Sequence, residues 1–302
     1  MYDTFNLCLY AEECPDIDLL AEIPCHLPAP VYDQHKNKYT GYLGNLFVSI
    51  TERSLFVSDS IAKYYKGNNV QPLTIEETRL ALQKLADELH APIEKAMVRR
   101  FDVGTCIELP HPPQVYLSRF GRARGNIKPN NNFGNLTYIH GDNVFTLYDK
   151  VRELKKGNDK DLAKTYAGHN LLRIEHRHKK PARKLRASAL YDKDFWNESL
   201  KAFYDEYIRI EQRPMDNKAT KAEWTQKAFA KIGIRASFEN IEAALKVIDA
   251  HQRKGELTAS QAQHARKLAT SLFAGPISDA NTIDEMEYLN AQVEAFVSDF
   301  TQ

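Results

Sequence analysis

The 302-residue sequence predicts an α+β fold, with an antiparallel-sheet domain over residues 1–212 and a small all-helical region over 213–302. Three observations carry this reading. Short alternating apolar segments flank tight turns twice before residue 150. Two further strand-like runs, 98–103 and 171–178, are interrupted by charged residues. After Tyr191 the apolar spacing changes to the helical period.

Thr4 to Leu9 is a short apolar strand. Leu46, Val48 and Ile50 alternate, and Ser54 to Val57 follows after a short break, which makes a hairpin. Thr74 with Glu77 three residues later is a capping box that opens a helix through His90. Ala96 to Leu109 reads as a strand, and Pro112 to Phe120 as a short helix with proline near its start. Leu136 to Ile139 and Val144 to Tyr148 flank the Gly141-Asp142 turn as a second hairpin. Leu171 to His178 adds another strand. Trp196, Leu200, Phe203, Tyr207 and Ile210 then recur at intervals of four, three, four and three, an amphipathic helix.

The linker candidate is Arg213-Pro-Met-Asp-Asn-Lys. Helices are predicted around Trp224 to Ile232, Ile241 to His251 and Ser260 to Phe273. A last helix starts at Thr282, with Glu285 as its capping glutamate and Ile283, Met286, Leu289, Val293 and Phe296 as its apolar stripe. Trp224 to Lys246, with Gly233 at the turn, fits a helix-turn-helix, and fits a packing or dimerisation arm equally well. The chain shows neither an internal repeat nor a low-complexity segment.

With 43% hydrophobic and 27% charged residues the chain carries a real core and is not of the disordered class. No apolar run approaches the ~18 residues of a membrane span, and the start lacks a signal-peptide pattern. Cys8, Cys14, Cys25 and Cys106 form neither a CxxC pair nor a disulfide framework. A reducing cytoplasm is the expected setting. Formal charges nearly cancel, but their distribution does not. Lys150 to Arg186 holds 13 Lys/Arg against four acids, whereas Gly255 to Gln302 has two basic residues against seven acidic ones. The first stretch is suited to phosphates, and the second keeps the chain end away from them.

Chemistry-bearing residues break the strand pattern. Alternation puts Arg100 and Asp102 on one face of their strand, and Arg173, Glu175 and Arg177 on one face of theirs. A strand carboxylate among arginines is costly unless paired or bound to a cation. Neighbouring strands would let Asp102 and Glu175 share a divalent ion, Mg²⁺ or Mn²⁺, while an Arg–carboxylate network that fixes register is the plain alternative. Glu153, one turn beyond Tyr148-Asp-Lys150, is a further candidate ligand. His176 and His178 form the competing His-x-His pair, which alternation places opposite Glu175. His140 is a weaker option. Tyr148 attacks a phosphodiester only if its proton is removed or its charge stabilised, and a half-buried strand tyrosine is the plain alternative.

Three blocks in order resemble the replication initiators of filamentous phages and related plasmids: Arg100-Phe-Asp102-Val, Tyr148-Asp-Lys150-Val-Arg-Glu153, and Leu172-Arg173-Ile-Glu175-His-Arg177-His-Lys179. Gly44-Asn-Leu, the segment from Ser60 to Gly67-Asn-Asn, and His111-Pro-Pro also look like the plasmid/phage branch. The resemblance covers about residues 1 to 212, with Phe101 where the family usually has Ile or Leu. It implies a nickase that starts rolling-circle replication at an origin and rejoins the ends. Tyr148 would be the nucleophile that forms a 5′-phosphotyrosyl bond, assisted by Lys150, Arg173 and Arg177. Asp102 and Glu175 would form the metal site. Tyr191 is the alternative nucleophile, since related plasmid proteins carry theirs after the Arg-x-Glu strand.

Expected DNA contacts are Arg100, Lys155, Lys156, Lys179, Lys180, Arg183, Lys184 and Arg186. Expected partners are origin DNA and the host helicase and polymerase, in the cytoplasm of a bacterial host, with no membrane; a homodimer is also entertained. The rival from another class is a non-catalytic DNA-binding replication or copy-control protein. A conjugative relaxase fits least: only Tyr2 and Tyr10 lie early, and His176-Arg-His178 is a poor His-hydrophobic-His match.

Overall fold

The structure, a computed structural model, describes residues 1–132, 134–157, 160–181, 184–213, 241–254, 259, 262–263, 266 and 285–301. Its described strands form one antiparallel sheet of ten, in the order β2-β3-β4-β5-β1-β6-β10-β9-β8-β7. These are β1 (Tyr2–Tyr10), β2 (Val31–Asp33), β3 (Lys38–Leu43), β4 (Leu46–Thr51) and β5 (Ser54–Ser60) in one half. The other half holds β6 (Met97–Glu108), β7 (Asn130–Asn132), β8 (Asn135–His140), β9 (Asn143–Asp149) and β10 (Leu171–His178).

Each half repeats one plan. Its first strand lies at the centre, and the later strands return from the edge until the last pairs with the first: β5 with β1, β10 with β6. The central β1–β6 pair joins the halves. This structural repeat has no counterpart in the sequence, because topology depends on the order of pairing and not on shared residues.

One face of the sheet is the core. Leu7, Leu46, Val48, Leu55, Val57, Val98, Phe101, Val103, Leu147 and Ile174 are buried on it. Helices pack there. Ile75–Leu89 starts with the predicted Thr74/Glu77 box, Thr74 Oγ1 accepting from the Glu77 amide and the Glu77 carboxylate from the Thr74 amide. Lys193–Ile208 places Trp196, Leu200, Phe203 and Tyr207 inward, with Asp192 as its cap. The other α-helices before residue 213 are short: Leu19–Glu22, Ile61–Lys66, Pro113–Leu117, Lys150–Lys156 and Lys160–Thr165.

Two compact units form, Met1–Arg213 with Glu285–Gln302, and Pro214–Asp284. The helix Glu285–Phe300 thus belongs with the sheet: Arg119 pairs with Glu285 at 3.1 Å, Trp196 Nε1 donates to the Phe300 carbonyl at 2.8 Å, and Tyr207 donates to Asn290. Its stripe of Met286, Leu289, Val293 and Phe296 is buried as predicted. In the second unit a helix runs Ile241–Arg253, and Arg266 pairs with Asp249 at 2.7 Å. The linker after Arg213, the Trp224–Ile232 helix with Gly233, and most of the Ser260–Phe273 helix lie outside the described residues. Among the described residues no helix is long and apolar enough to cross a membrane.

His176 and His178 sit on the core face, opposite Glu175, as alternation required. Their rings are 4.1 Å apart; His178 stacks on Phe101 at 4.4 Å, and His176 meets Phe145. Neither His176 nitrogen has a hydrogen-bond partner, and burial lowers the pKa to about 3 for His176 and about 4 for His178. The unfolded chain therefore binds protons that the folded chain refuses. This stabilisation is complete above the unfolded value near 6.5 and is lost as pH falls toward 3 to 4. We expect stability to drop by about 1.4 kcal/mol per pH unit per histidine in that window. Thermal melts of wild type and His176→Leu from pH 4 to 7 check this; the variant should show the shallower slope.

Candidate functional site

The opposite face of the sheet carries the charged residues. Register sets them side by side: Asp102 on β6 faces Arg177 on β10, Gly104 faces Glu175, and Cys106 faces Arg173. On the other flank of β10, Tyr148 of β9 faces Arg173 and Thr146 faces Glu175. Six sequence-predicted residues (Arg100, Asp102, Tyr148, Arg173, Glu175 and Arg177) thereby meet on one patch.

Arg173 is its centre, 1% exposed. Its Nη2 donates to Asp3 at 2.8 Å, its Nε to Glu175 at 3.1 Å, and its Nη1 to the Asn69 carbonyl at 2.9 Å. Burial opposes its charge, yet Cys106, Asp3 and Glu175 together hold its pKa well above the usual value. Asp102 is likewise saturated: Arg100 grips both its oxygens, and Arg177 Nε approaches at 3.3 Å. Three carboxylates and three guanidiniums thus form a closed, charge-balanced network.

Tyr148 joins through its hydroxyl, which donates to Glu175 Oε1 at 2.9 Å. Burial foremost, then the Glu175 charge, pushes its pKa well above that of a free phenol. Burial also raises the Glu175 pKa, which Arg173 pulls back and Asp3 and Asp102 push further. A phenol held by a carboxylate of enhanced basicity has a built-in acceptor for its proton.

Asp3 is the site residue that sequence reading missed. The apolar pattern starts the strand at Thr4, but β1 starts at Tyr2, and its pairing with β6 shifts register between Tyr2 and Phe5. That irregularity lets Tyr2 point into the core and Asp3 into the site, which strict alternation from Phe5 does not reveal. The available signal was an acid inside an apolar run.

Other predicted residues are placed apart from the network or are otherwise engaged. Lys150 is buried and pairs with Glu153 at 2.8 Å, at the start of the helix that follows Tyr148. His176 and His178 share no face with the carboxylates and cannot join them as ligands. Tyr191 ends the short helix Ala187–Tyr191, where it packs on the core beside Arg79; no hydrogen bond or ion pair ties it to Glu175 or Asp102 among the described residues. Arg186 is committed to Glu13 and the Lys95 carbonyl. Lys155, Lys156, Lys179, Lys180 and Lys184 are exposed, with Lys180 3.3 Å from Asp142. Arg183 lies outside the described residues.

With this geometry the comparison with known proteins is informative. The Phage CRI family model, which describes the N-terminal region of a phage replication-associated protein, matches residues 32–239. The chain belongs to this family. Its role is in replication initiation, in agreement with the resemblance drawn from the three blocks, and all of them lie within the matched span. No curated protein matches the chain significantly.

The initiator's charged patch meets the demands of a cation site only in part. Among the described residues no group of three or more His, Cys, Asp or Glu is arranged to hold a metal ion. The donor chemistry nonetheless suits a hard cation, since Asp3, Asp102 and Glu175 are oxygen donors on one face and feel one another's charge. In this structure arginines neutralise them.

Removing the central cation takes the ionic partner from buried Asp3 and leaves Glu175 with Arg177 at 3.9 Å. Arg173→Met should therefore cost about 3–5 kcal/mol, read by urea unfolding at pH 7, with part recovered in Arg173→Met/Asp3→Asn. Gly104 is the second sensitive point. A Cβ there would lie 2.7 Å from the Ile174 carbonyl and 3.0 Å from Glu175 Cγ. Gly104→Ala should displace Glu175, seen as a changed Tyr148 hydroxyl environment by NMR or ultraviolet difference titration.

Proposed function

We propose that this initiator nicks one strand of origin DNA with Tyr148 as nucleophile, starting rolling-circle replication, and rejoins the ends after a round. The observation that carries this is the Tyr148–Glu175 hydrogen bond, set among three guanidiniums on one face. Glu175 takes the phenolic proton as Tyr148 attacks phosphorus. A phosphotyrosyl P–O bond forms, the P–O3′ bond breaks, and the departing oxygen takes a proton to become the 3′-hydroxyl a polymerase extends. Arg173 and Arg177 face the charge that grows on the phosphoryl oxygens. The new ester keeps the energy of the broken one, so the same site can run backward to rejoin. A divalent cation, Mg²⁺ or Mn²⁺, held by Asp102 and Glu175 with Asp3, would polarise the phosphoryl oxygens when bound. Exposed Lys155, Lys156, Lys179, Lys180 and Lys184 suit the flanking phosphates.

A second reading has its own observation. The carboxylates are fully engaged by arginines, which equally suits a protein that binds the origin without cutting it. The deciding experiment incubates purified protein with single-stranded origin DNA, with Mg²⁺ or Mn²⁺ and with EDTA, and examines a denaturing gel for a covalent adduct. We expect a metal-dependent adduct from wild type and Tyr191→Phe but none from Tyr148→Phe. Loss only in Tyr191→Phe moves the nucleophile. No adduct on DNA that the protein demonstrably binds favours the non-cutting reading.

A further inference from the structure

The site occupies only part of its face of the sheet. Register continues that face across the other half. Arg100 on β6 lies beside Asn6 on β1, Asn6 beside Ser58 on β5, Ser58 beside Phe47 on β4, and Phe47 beside Tyr42 on β3. Phe56 lies one pair along, between Cys8 and Ser49. The other side of these strands is the apolar core, so helices cover one face of this half and these residues make up the other.

Tyr42 is 61% exposed, and its ring meets the half-buried Phe47 edge-on at 5.6 Å. A lone exposed aromatic is ordinary, but a row of rings on an uncovered sheet face, leading to a cluster of guanidiniums, is not. Small polar side chains, Ser58 and Asn6, separate Phe47 from Arg100. Between Tyr42 and Arg100 the outward positions of β3, β4, β5 and residues 6–10 carry no carboxylate, so nothing there repels a polyanion. Four strand spacings of ~4.8 Å make the row about 19 Å long.

We propose that this face is a stacking lane for single-stranded DNA, in which Tyr42, Phe47 and Phe56 hold unpaired bases that flank the phosphate at the arginine cluster. The lane rests on the nicking reading for which DNA arrives there, and on the sheet geometry for how it is held. Bases offer flat faces of any sequence to aromatic rings, whereas a duplex hides them. The lane would therefore select unpaired strand over duplex and hold it without reading sequence.

The test uses the full chain in a Tyr148→Phe background, so that cleavage plays no part. Binding of a fluorescently labelled 20-nucleotide single strand and of the matching duplex is measured by anisotropy, with Tyr42→Ser and Phe47→Thr added singly. We expect each to weaken single-strand binding about tenfold, with duplex binding and melting temperature unchanged. Tyr42→Trp should keep the affinity, and its fluorescence should be quenched by the single strand. Should Phe47→Thr fail to fold, Tyr42→Ser and Tyr42→Trp decide the matter alone. Unchanged single-strand affinity, or equal loss for duplex, overturns the lane. These outcomes are independent of the adduct assay: a wild type that forms no adduct but loses single-strand affinity with Tyr42→Ser sinks the nicking reading and leaves the lane.

Discussion

A guanidinium buried in the middle of a sheet must be neutralised where it stands, and Arg173 sets that requirement here. Its partners come from both sides: Asp3 from β1 and Glu175 from its own strand. Because β6 runs between β1 and β10, the guanidinium crosses over that strand, and Gly104 leaves the room it needs. The pairing ties three central strands together more specifically than backbone hydrogen bonds, which tolerate slippage. Moving β1 by one residue would turn Asp3 toward the apolar face and leave Arg173 with Glu175 of its own strand. Tyr148 then hangs from Glu175, so the orientation of its hydroxyl is inherited from an electrostatic demand deeper in the fold.

Much of this was legible from residue pattern. Asp102, Glu175 and the arginines announced themselves because charge in a strand demands an explanation, and the long helices because their apolar spacing is regular over four turns. What stayed hidden depends on pairing between distant segments. Nothing near Thr4 says that its strand will lie at the sheet centre. Asp3 was concealed by a local register shift, which defeats the two-residue rule at the one position that mattered. The final helix shows its apolar stripe in the sequence, but a stripe does not name the surface it will meet. Short strands such as Val31–Asp33 carry too few residues for alternation to show.

The dense basic stretch looks different in three dimensions. A run of like charges in sequence suggests one continuous surface, yet Lys150 and Arg173 point inward and Arg186 is held by Glu13. Exposed lysines are left at the ends of short elements, around the patch and not across it. Charge density along a chain therefore overstated the surface available to a phosphate backbone, because part of it is buried or paired with carboxylates.

The sheet order also governs when the protein can act during its own synthesis. Strand β1 is made first but needs β6, which begins at Met97, and the patch is complete only when β10 ends at His178. Contacts this far apart form late, after the loops between them have been closed. A nascent or truncated chain ending before that point holds Tyr148 and Asp102 without the arginine and glutamate that position them. The assembled patch is thereby withheld from unfinished copies of the protein, through chain topology alone.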